Sequence, residues 1–121
     1  MKTIAISSAG ESLDAKVQPL FGRSRFFILV DPETLEWEAL DNLSSLSSLQ
    51  LVGVMTAQNL VRKNIRTVMT GKCGSKAFEE LTAAGIQVVL DTQGTGRQAL
   101  QKFIRGDFIP ATSPNVSEAR A

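Results

Sequence analysis

The residues best suited to chemistry lie together between Gly71 and Lys76. Cys73, the only cysteine of the chain, sits between two glycines and is flanked by two lysines. β-Branched residues over 66–70 predict a strand that ends at Gly71, and the apolar spacing after Ser75 predicts a helix that ends at Gly85. A thiol at a helix start faces unpaired backbone N–H groups and the positive end of the helix dipole. We therefore expect its thiolate form to be favoured.

The two glycines of this turn suggest close approach by a ligand. Gly71 and Gly74 carry no Cβ, so a bulky group could reach the main chain there. With Lys72 and Ser75 beside them, the turn suits a soft, negatively charged ligand better than a reaction. The simpler interpretation is a tight strand-to-helix turn in which Cys73 is a small, partly buried apolar residue. Taken alone, the stretch favours this simpler interpretation.

Composition narrows the class of protein. The 121 residues are 43% hydrophobic with a net charge of +1, which predicts one globular domain and gives no reason to expect nucleic acid or a membrane as partner. One cysteine cannot form an internal disulfide, so a reducing cytoplasm is expected. The absence of histidine excludes Ser-His-Asp and Cys-His catalysis within the chain. A redox enzyme built on Cys73 would lack a resolving cysteine. We expect no enzyme.

A second group of candidate residues lies in the loop over residues 13–25. Pro19 and Gly22 interrupt any helix, and the pattern predicts an ordered loop whose Val17 and Phe21 turn inward. Phe21, Gly22 and Arg23 could place a guanidinium group beside a pocket, and Arg25 follows closely. Solvated loop charges are the commoner outcome for such arginines.

The first half of the chain predicts a β-hairpin and a helix. Residues 26–30 form a continuous apolar run, and residues 35–40 alternate in polarity after a proline turn, which predicts two antiparallel strands. Leucines at three-residue spacing between serines then mark a linker over 41–50, either a flap over a ligand or a poorly ordered connection. A helix is expected from about 51 to 63.

The second half predicts two more elements and a tail. Residues 86–90 form a strand, and a helix opens at Gly94 and runs to about 105. The G-x-G-x-x-A pattern at its start matches a dinucleotide fingerprint, but no later strand supplies the acidic residue, so we reject that function. The expected domain covers residues 1–106. Residues 107–121, with two prolines, are expected to form a flexible tail.

The order of elements predicts an α/β domain. A strand, a hairpin and then alternating helices and strands imply a mixed sheet of about five strands with helices on both faces. This is also the order of ribonuclease-H-like three-layer folds. Nucleases of that kind need carboxylates on the first strand to hold metals, and residues 3–6 offer none.

Three segments together resemble the dinitrogenase iron–molybdenum cofactor family, which includes NifX-like carriers and the C-terminal part of NifB. They are VQPLFGR at 17–23, FILVD at 27–31, and GKCGSKAF at 71–78 with AGI at 84–86. The resemblance spans about residues 1–106. Members often have a histidine where this chain has Leu20, and a glycine-rich segment where it has the leucine–serine run at 43–49.

The resemblance implies a ribonuclease-H-like domain that holds a metal–sulfur cluster without turnover. The cargo would be an iron–sulfur or molybdenum–iron–sulfur cluster, received from or passed to a cluster-assembly protein. Positive charge, backbone donors and one soft ligand would hold such an anion. The residues expected to do so are Phe21, Gly22, Arg23, Arg25, Gly71, Lys72, Gly74 and Ser75, with Cys73 as the metal ligand.

One alternative stays open. Leu20 in the histidine position, the leucine–serine segment and the loose tail also fit a degenerate domain that acts as a protein-interaction module without metal.

Overall fold

Five strands and three α-helices make up the part of the domain that the structure describes. The computed structural model describes residues 1–46 and 51–116. The strands are β1 (Ile4–Ser8), β2 (Phe26–Val30), β3 (Trp37–Asp41), β4 (Thr67–Met69) and β5 (Gln87–Val89), and the helices are α1 (Val52–Val61), α2 (Ser75–Ala83) and α3 (Gly96–Ile104). A 3₁₀ turn at Leu43–Leu46 precedes α1. No helix in the two described ranges has the length and apolar character that a membrane crossing requires.

The strands form one mixed sheet in the order β3-β2-β1-β4-β5. β2 runs antiparallel to β1 and β3, and β4 runs parallel to β1 and β5. Ile4 on β1 is paired with Val30 on one side and with Thr67 on the other. The predicted hairpin and the predicted mixed sheet are therefore confirmed.

The alternation of side chains along the central strands divides the core into two layers. Ala5 and Val68 face a layer that contains α1 and α2, including Leu60 and Leu81. Ile4 and Ile6 face the opposite layer, where α3 supplies Ala99 and Leu100. Helices thus cover both faces of the sheet, as the sequence predicts. The finer ribonuclease-H-like assignment stays a prediction.

The predicted loop over 13–25 is ordered and packs inward. Val17 and Phe21 are buried, and the Phe21 ring meets Phe27 edge-on with centroids 5.5 Å apart. This confirms the inward orientation that the sequence predicts for both side chains.

The linker and the tail are partly described. Residues 43–46 form the 3₁₀ turn, whereas residues 47–50, with the third leucine of the repeat at 49, lie outside the described residues. Whether the linker acts as a flap stays a prediction. Residues 107–116 pack against the domain, with the rings of Phe108 and Phe103 stacked at 4.9 Å. The predicted flexibility of this tail stays untested.

Phe21 joins the loop to the core, so its truncation tests that anchoring. Phe21→Ala should lower the free energy of unfolding by about 3–5 kcal/mol, because it removes a ring that is 1% exposed and leaves a cavity. Urea unfolding followed by circular dichroism measures the change. Ile109→Ala is the matched control, since that apolar side chain is 85% exposed and its loss should change stability little. Equal effects of the two substitutions would contradict this packing.

Candidate functional site

Two of the predicted segments meet at one edge of the sheet, namely the end at which the central strands β1 and β4 finish. Leu20 and Lys72 form a parallel bridge. The amide of Lys72 donates to the carbonyl of Pro19 at 2.6 Å, and the amide of Phe21 donates to the carbonyl of Lys72 at 3.0 Å. These segments follow the carboxyl end of β4 and lie beside that of β1. Ligands of open α/β sheets bind outside the carboxyl ends of strands, which makes this edge the candidate site.

Gly71 is required for this meeting of segments. A Cβ atom at position 71 would lie 2.6 Å from the carbonyl oxygen of Pro19 and 2.9 Å from its Cα. The space beside Gly71 is therefore filled by main chain from residue 19. The expectation that the missing Cβ leaves room for a ligand at Gly71 was wrong.

Cys73 lies in the core. Its residue is 0% exposed and belongs to the same hydrophobic cluster as Phe78 and Leu81, and its Sγ lies 3.7 Å from the carbonyl oxygen of Gly74. Burial raises the pKa of the Cys73 thiol from 9.0 to about 12. The expectation that the thiolate form of Cys73 is favoured was therefore wrong. The simpler interpretation, in which Cys73 is a buried apolar residue, describes this conformation.

The magnitudes explain why burial decides the protonation state of Cys73. The rise in the pKa of Cys73 from 9.0 to about 12 corresponds to roughly 4 kcal/mol against the thiolate. A helix N-terminus typically stabilises a negative charge by about 0.3–1 kcal/mol. Removal of the sulfur from water thus outweighs the helix dipole. The role of Cys73 as a metal ligand stays a prediction that requires the turn to rearrange.

The candidate residues of the loop have three different environments: the core, the solvent-exposed surface and an ion pair. Phe21 packs in the core, and the carbonyl of the buried Gly22 lies 3.5 Å from the hydroxyl of Thr56. Arg23 is exposed. The guanidinium of Arg25 makes two bonds to the Asp41 carboxylate, with Nε 2.6 Å from Oδ1. This hydrogen bond raises the pKa of Arg25 and lowers the pKa of Asp41. Arg25 is thus engaged with Asp41.

The remaining candidates surround the start of α2. Lys72 is exposed, and Ser75, the first residue of α2, is half-buried. Gly74 is the residue before the helix, with an extended backbone and no side-chain cap. The structure therefore places Lys72 beside residues 19–21, whereas Gly74 and Ser75 follow it at the start of α2.

Sequence reasoning missed Asn115. Its Oδ1 accepts from the amide of Cys73 at 2.9 Å, and its Nδ2 donates to the carbonyl of Gly71 at 2.9 Å and to Asp91 Oδ1 at 3.2 Å. Asn115 lies 42 residues after Cys73. The only local signal is the proline before it, which typically marks turns and not a long-range contact.

The described residues contain no cluster of histidine, cysteine or acidic side chains with three or more members placed to hold a metal ion. At this edge the cationic side chains and the main-chain amides are the groups that could attract an anion.

The fold is that of a small α/β domain with helices on both faces of a mixed sheet, and residues 2–106 match the family model described as dinitrogenase iron-molybdenum cofactor. The chain belongs to this family, as the sequence motifs predict. No curated protein sequence matches it at a significant level.

Solved structures similar to this chain share the fold over nearly their whole length. The apo form of the orange protein from Desulfovibrio gigas is 41% identical, with a TM-score of 0.90 over 96% of this chain and 98% of that one. A Thermotoga protein with a provisional NifB assignment is 30% identical, with a TM-score of 0.81 over the same shares. A Methanocaldococcus jannaschii protein with a provisional dinitrogenase assignment is 15% identical, with a TM-score of 0.68 over 92% and 95%, which shows the fold alone.

The tight contact at Gly71 gives a stability prediction. Gly71→Ala should lower the free energy of unfolding by about 1–3 kcal/mol, because the new methyl group meets the main chain of Pro19 and must displace it. Chemical denaturation of both proteins measures the loss. Lys72→Ala, at the adjacent exposed position, should stay close to wild type. A Gly71→Ala protein as stable as wild type would show that the two segments do not meet this closely.

The buried thiol makes stability depend on pH. Because folding raises the pKa of Cys73, the unfolded chain loses this proton first as pH rises, so stability falls above about pH 9. The contribution of this thiol to the free energy of unfolding should decrease by roughly 1 kcal/mol between pH 8 and pH 10. Urea titrations of wild type and Cys73→Ala at both pH values isolate the contribution of the thiol. The free energy of unfolding of the variant should fall less steeply with pH than that of the wild type. Identical slopes would mean that the thiol is accessible to water.

Proposed function

We propose that this protein is a non-catalytic carrier for an anionic metal–sulfur cluster, of the iron–molybdenum cofactor type or a precursor of it. The observation that carries the proposal is family membership over residues 2–106, together with 41% identity across nearly the full length of the orange protein, whose structure is described as an apo form.

The edge formed by residues 19–23 and 71–75 is the proposed binding surface. Iron–sulfide and molybdenum–sulfide clusters are anionic, so a surface for one needs positive charge and backbone donors. Lys72 and Arg23 are exposed at this edge, and α2 directs the positive end of its dipole toward it. Arg25 belongs to this surface only if it leaves Asp41.

The scarcity of ligands supports a carrier over a redox centre. A resident iron–sulfur cluster usually takes about four cysteine ligands. This chain has one, and that thiol is buried and protonated. Attachment by charge and hydrogen bonds permits release to a cluster-assembly protein, which is the partner we propose. Cys73 would add a soft ligand only after local opening and loss of its proton.

Charge reversal at Lys72 tests the binding surface. In anaerobic titrations with tetrathiomolybdate or a synthetic iron–sulfur cluster, Lys72→Glu should weaken binding by about tenfold, and added salt should weaken wild-type binding. Absorbance and metal content per chain are the readouts.

Lys63→Glu is the matched control for this experiment. It makes the same change of charge at an exposed position between α1 and β4, at the opposite end of the strands, and should bind like wild type. Equal loss in both variants would indicate a net-charge effect and no local site. No uptake by wild type would remove the carrier function, and equal uptake by Cys73→Ala would remove the thiol from the site.

A specific observation also favours the second candidate, a protein-interaction module. Trp37, Leu43, Leu46 and Leu51 are all large apolar side chains in or between β3 and α1, with exposed fractions from 39% to 67%. Exposed apolar groups concentrated in one stretch often mark protein contacts. Calorimetric titration with a purified cluster-assembly protein tests this function. The interaction module predicts that the wild-type protein binds without metal. It also predicts that a double variant with Leu43→Ser and Leu46→Ser does not bind.

A further inference from the structure

The C-terminal strap, defined here as residues 107–116, contacts the Cys73 turn of the candidate site. It begins with Phe108 stacked on Phe103 of α3. Its middle is tied to β5, because the amide of Ala111 donates to the carbonyl of Val88 at 2.8 Å. It reaches the Cys73 turn, where Val116 forms a parallel bridge with Gly74. The strap therefore connects α3, the edge strand and the start of α2.

The Asn115 carboxamide imitates a neighbouring strand. It accepts from the amide of Cys73 and donates to the carbonyl of Gly71, so it satisfies one donor and one acceptor of the same short segment. Its Nδ2 also lies 3.2 Å from Oδ1 of Asp91. The amide of Cys73 is one of the main-chain donors nearest the start of α2, and Asn115 occupies it. An anionic ligand that needs this amide must displace Asn115.

The strap is attached at separate points and leaves space beneath it. A groove of about 710 Å³ lies between the strap and the ends of β4 and β5, with Met69, Thr92 and Lys102 among its lining residues. Within the strap, Ile109, Thr112 and Ser113 are exposed. A segment held by a few hydrogen bonds, with little buried apolar surface of its own, opens more readily than the core. The geometry thus suits reversible release of residues 111–116.

We propose that the C-terminal strap is a gate over the Cys73 turn: Asn115 occupies the Cys73 amide in the closed state, and its release admits an anionic ligand to that amide. This proposal depends on the proposed function only for the identity of the anionic ligand. The Cys73 thiol is buried in a core cluster against which Ala111 of the strap packs. If the strap opens, we expect this thiol to become more reactive, so its reactivity reports opening.

Thiol labelling of the intact protein tests the gate. Asn115→Ala removes all three side-chain hydrogen bonds of Asn115, and its Cys73 should react with a disulfide reagent such as dithiobis(nitrobenzoate) about tenfold faster than in wild type. Ser113→Ala, at an exposed position of the same strap, is the matched control and should label at the wild-type rate. Urea unfolding of each protein separates local opening from global unfolding. A wild-type labelling rate in Asn115→Ala overturns the gate.

Amide hydrogen exchange supplies a second measurement that needs no thiol reagent. In Asn115→Ala the amide of Cys73 should exchange about tenfold faster, while the amide of Phe78, which donates to Gly74 within the helix, should keep its rate. Equal acceleration at both amides would mean that α2 itself is destabilised, and this would overturn the gate.

Cargo binding separates the gate from the carrier function. Tetrathiomolybdate should bind Asn115→Ala more tightly than wild type, because the closed state no longer competes. Faster labelling with no binding by either protein supports a gate over the turn and removes the proposed cargo. Tighter binding with unchanged labelling overturns the gate, because Asn115 would then act on the ligand without closing the turn.

Discussion

The pairing of residues 19–21 with residues 71–72 is the contact on which the candidate site depends. It joins a loop after β1 to the turn after β4, at a distance that only glycine at position 71 permits. Below it, the buried hydroxyls of Ser7 and Thr70 lie 2.8 Å apart and link the ends of the same two strands. Phe21 then enters the core and Cys73 turns inward. This main-chain contact therefore helps to determine which groups at the edge are exposed, such as Lys72, and which are buried, such as Phe21 and Cys73.

Burial at this edge changes the chemistry that the sequence indicates. The order of strand, glycine turn and helix is typical of an activated thiol, but the dipole contributes less than the loss of water around the sulfur. The groups left for an anion are exposed cations and main-chain donors. Under the proposed carrier function, such a surface would hold a cluster by charge and hydrogen bonds, which would allow its release.

Sequence periodicity accounts for most of the fold and only part of the site. The hairpin and the helices follow from local patterns, and Val17 and Phe21 are apolar residues of a loop that must pack somewhere. A glycine in a turn is required either because a ligand needs the space or because another main-chain segment fills it. At Gly71 only the coordinates distinguish these two reasons. The partner of Arg25 is 16 residues away and that of Cys73 is 42 away, so neither follows from local patterns.

The strap solves two structural problems with one segment, because it reaches both β5 and the Cys73 turn. β5 is an edge strand, and an unpaired edge invites association with other chains; the bond from Ala111 to Val88 covers part of it. α2 starts without a side-chain cap at Gly74, and the Asn115 carboxamide satisfies the amide just before it. A ligand that takes the place of Asn115 would satisfy that amide equally well. The exchange therefore leaves no buried donor unpaired in either state, which allows the segment to open while the core stays folded.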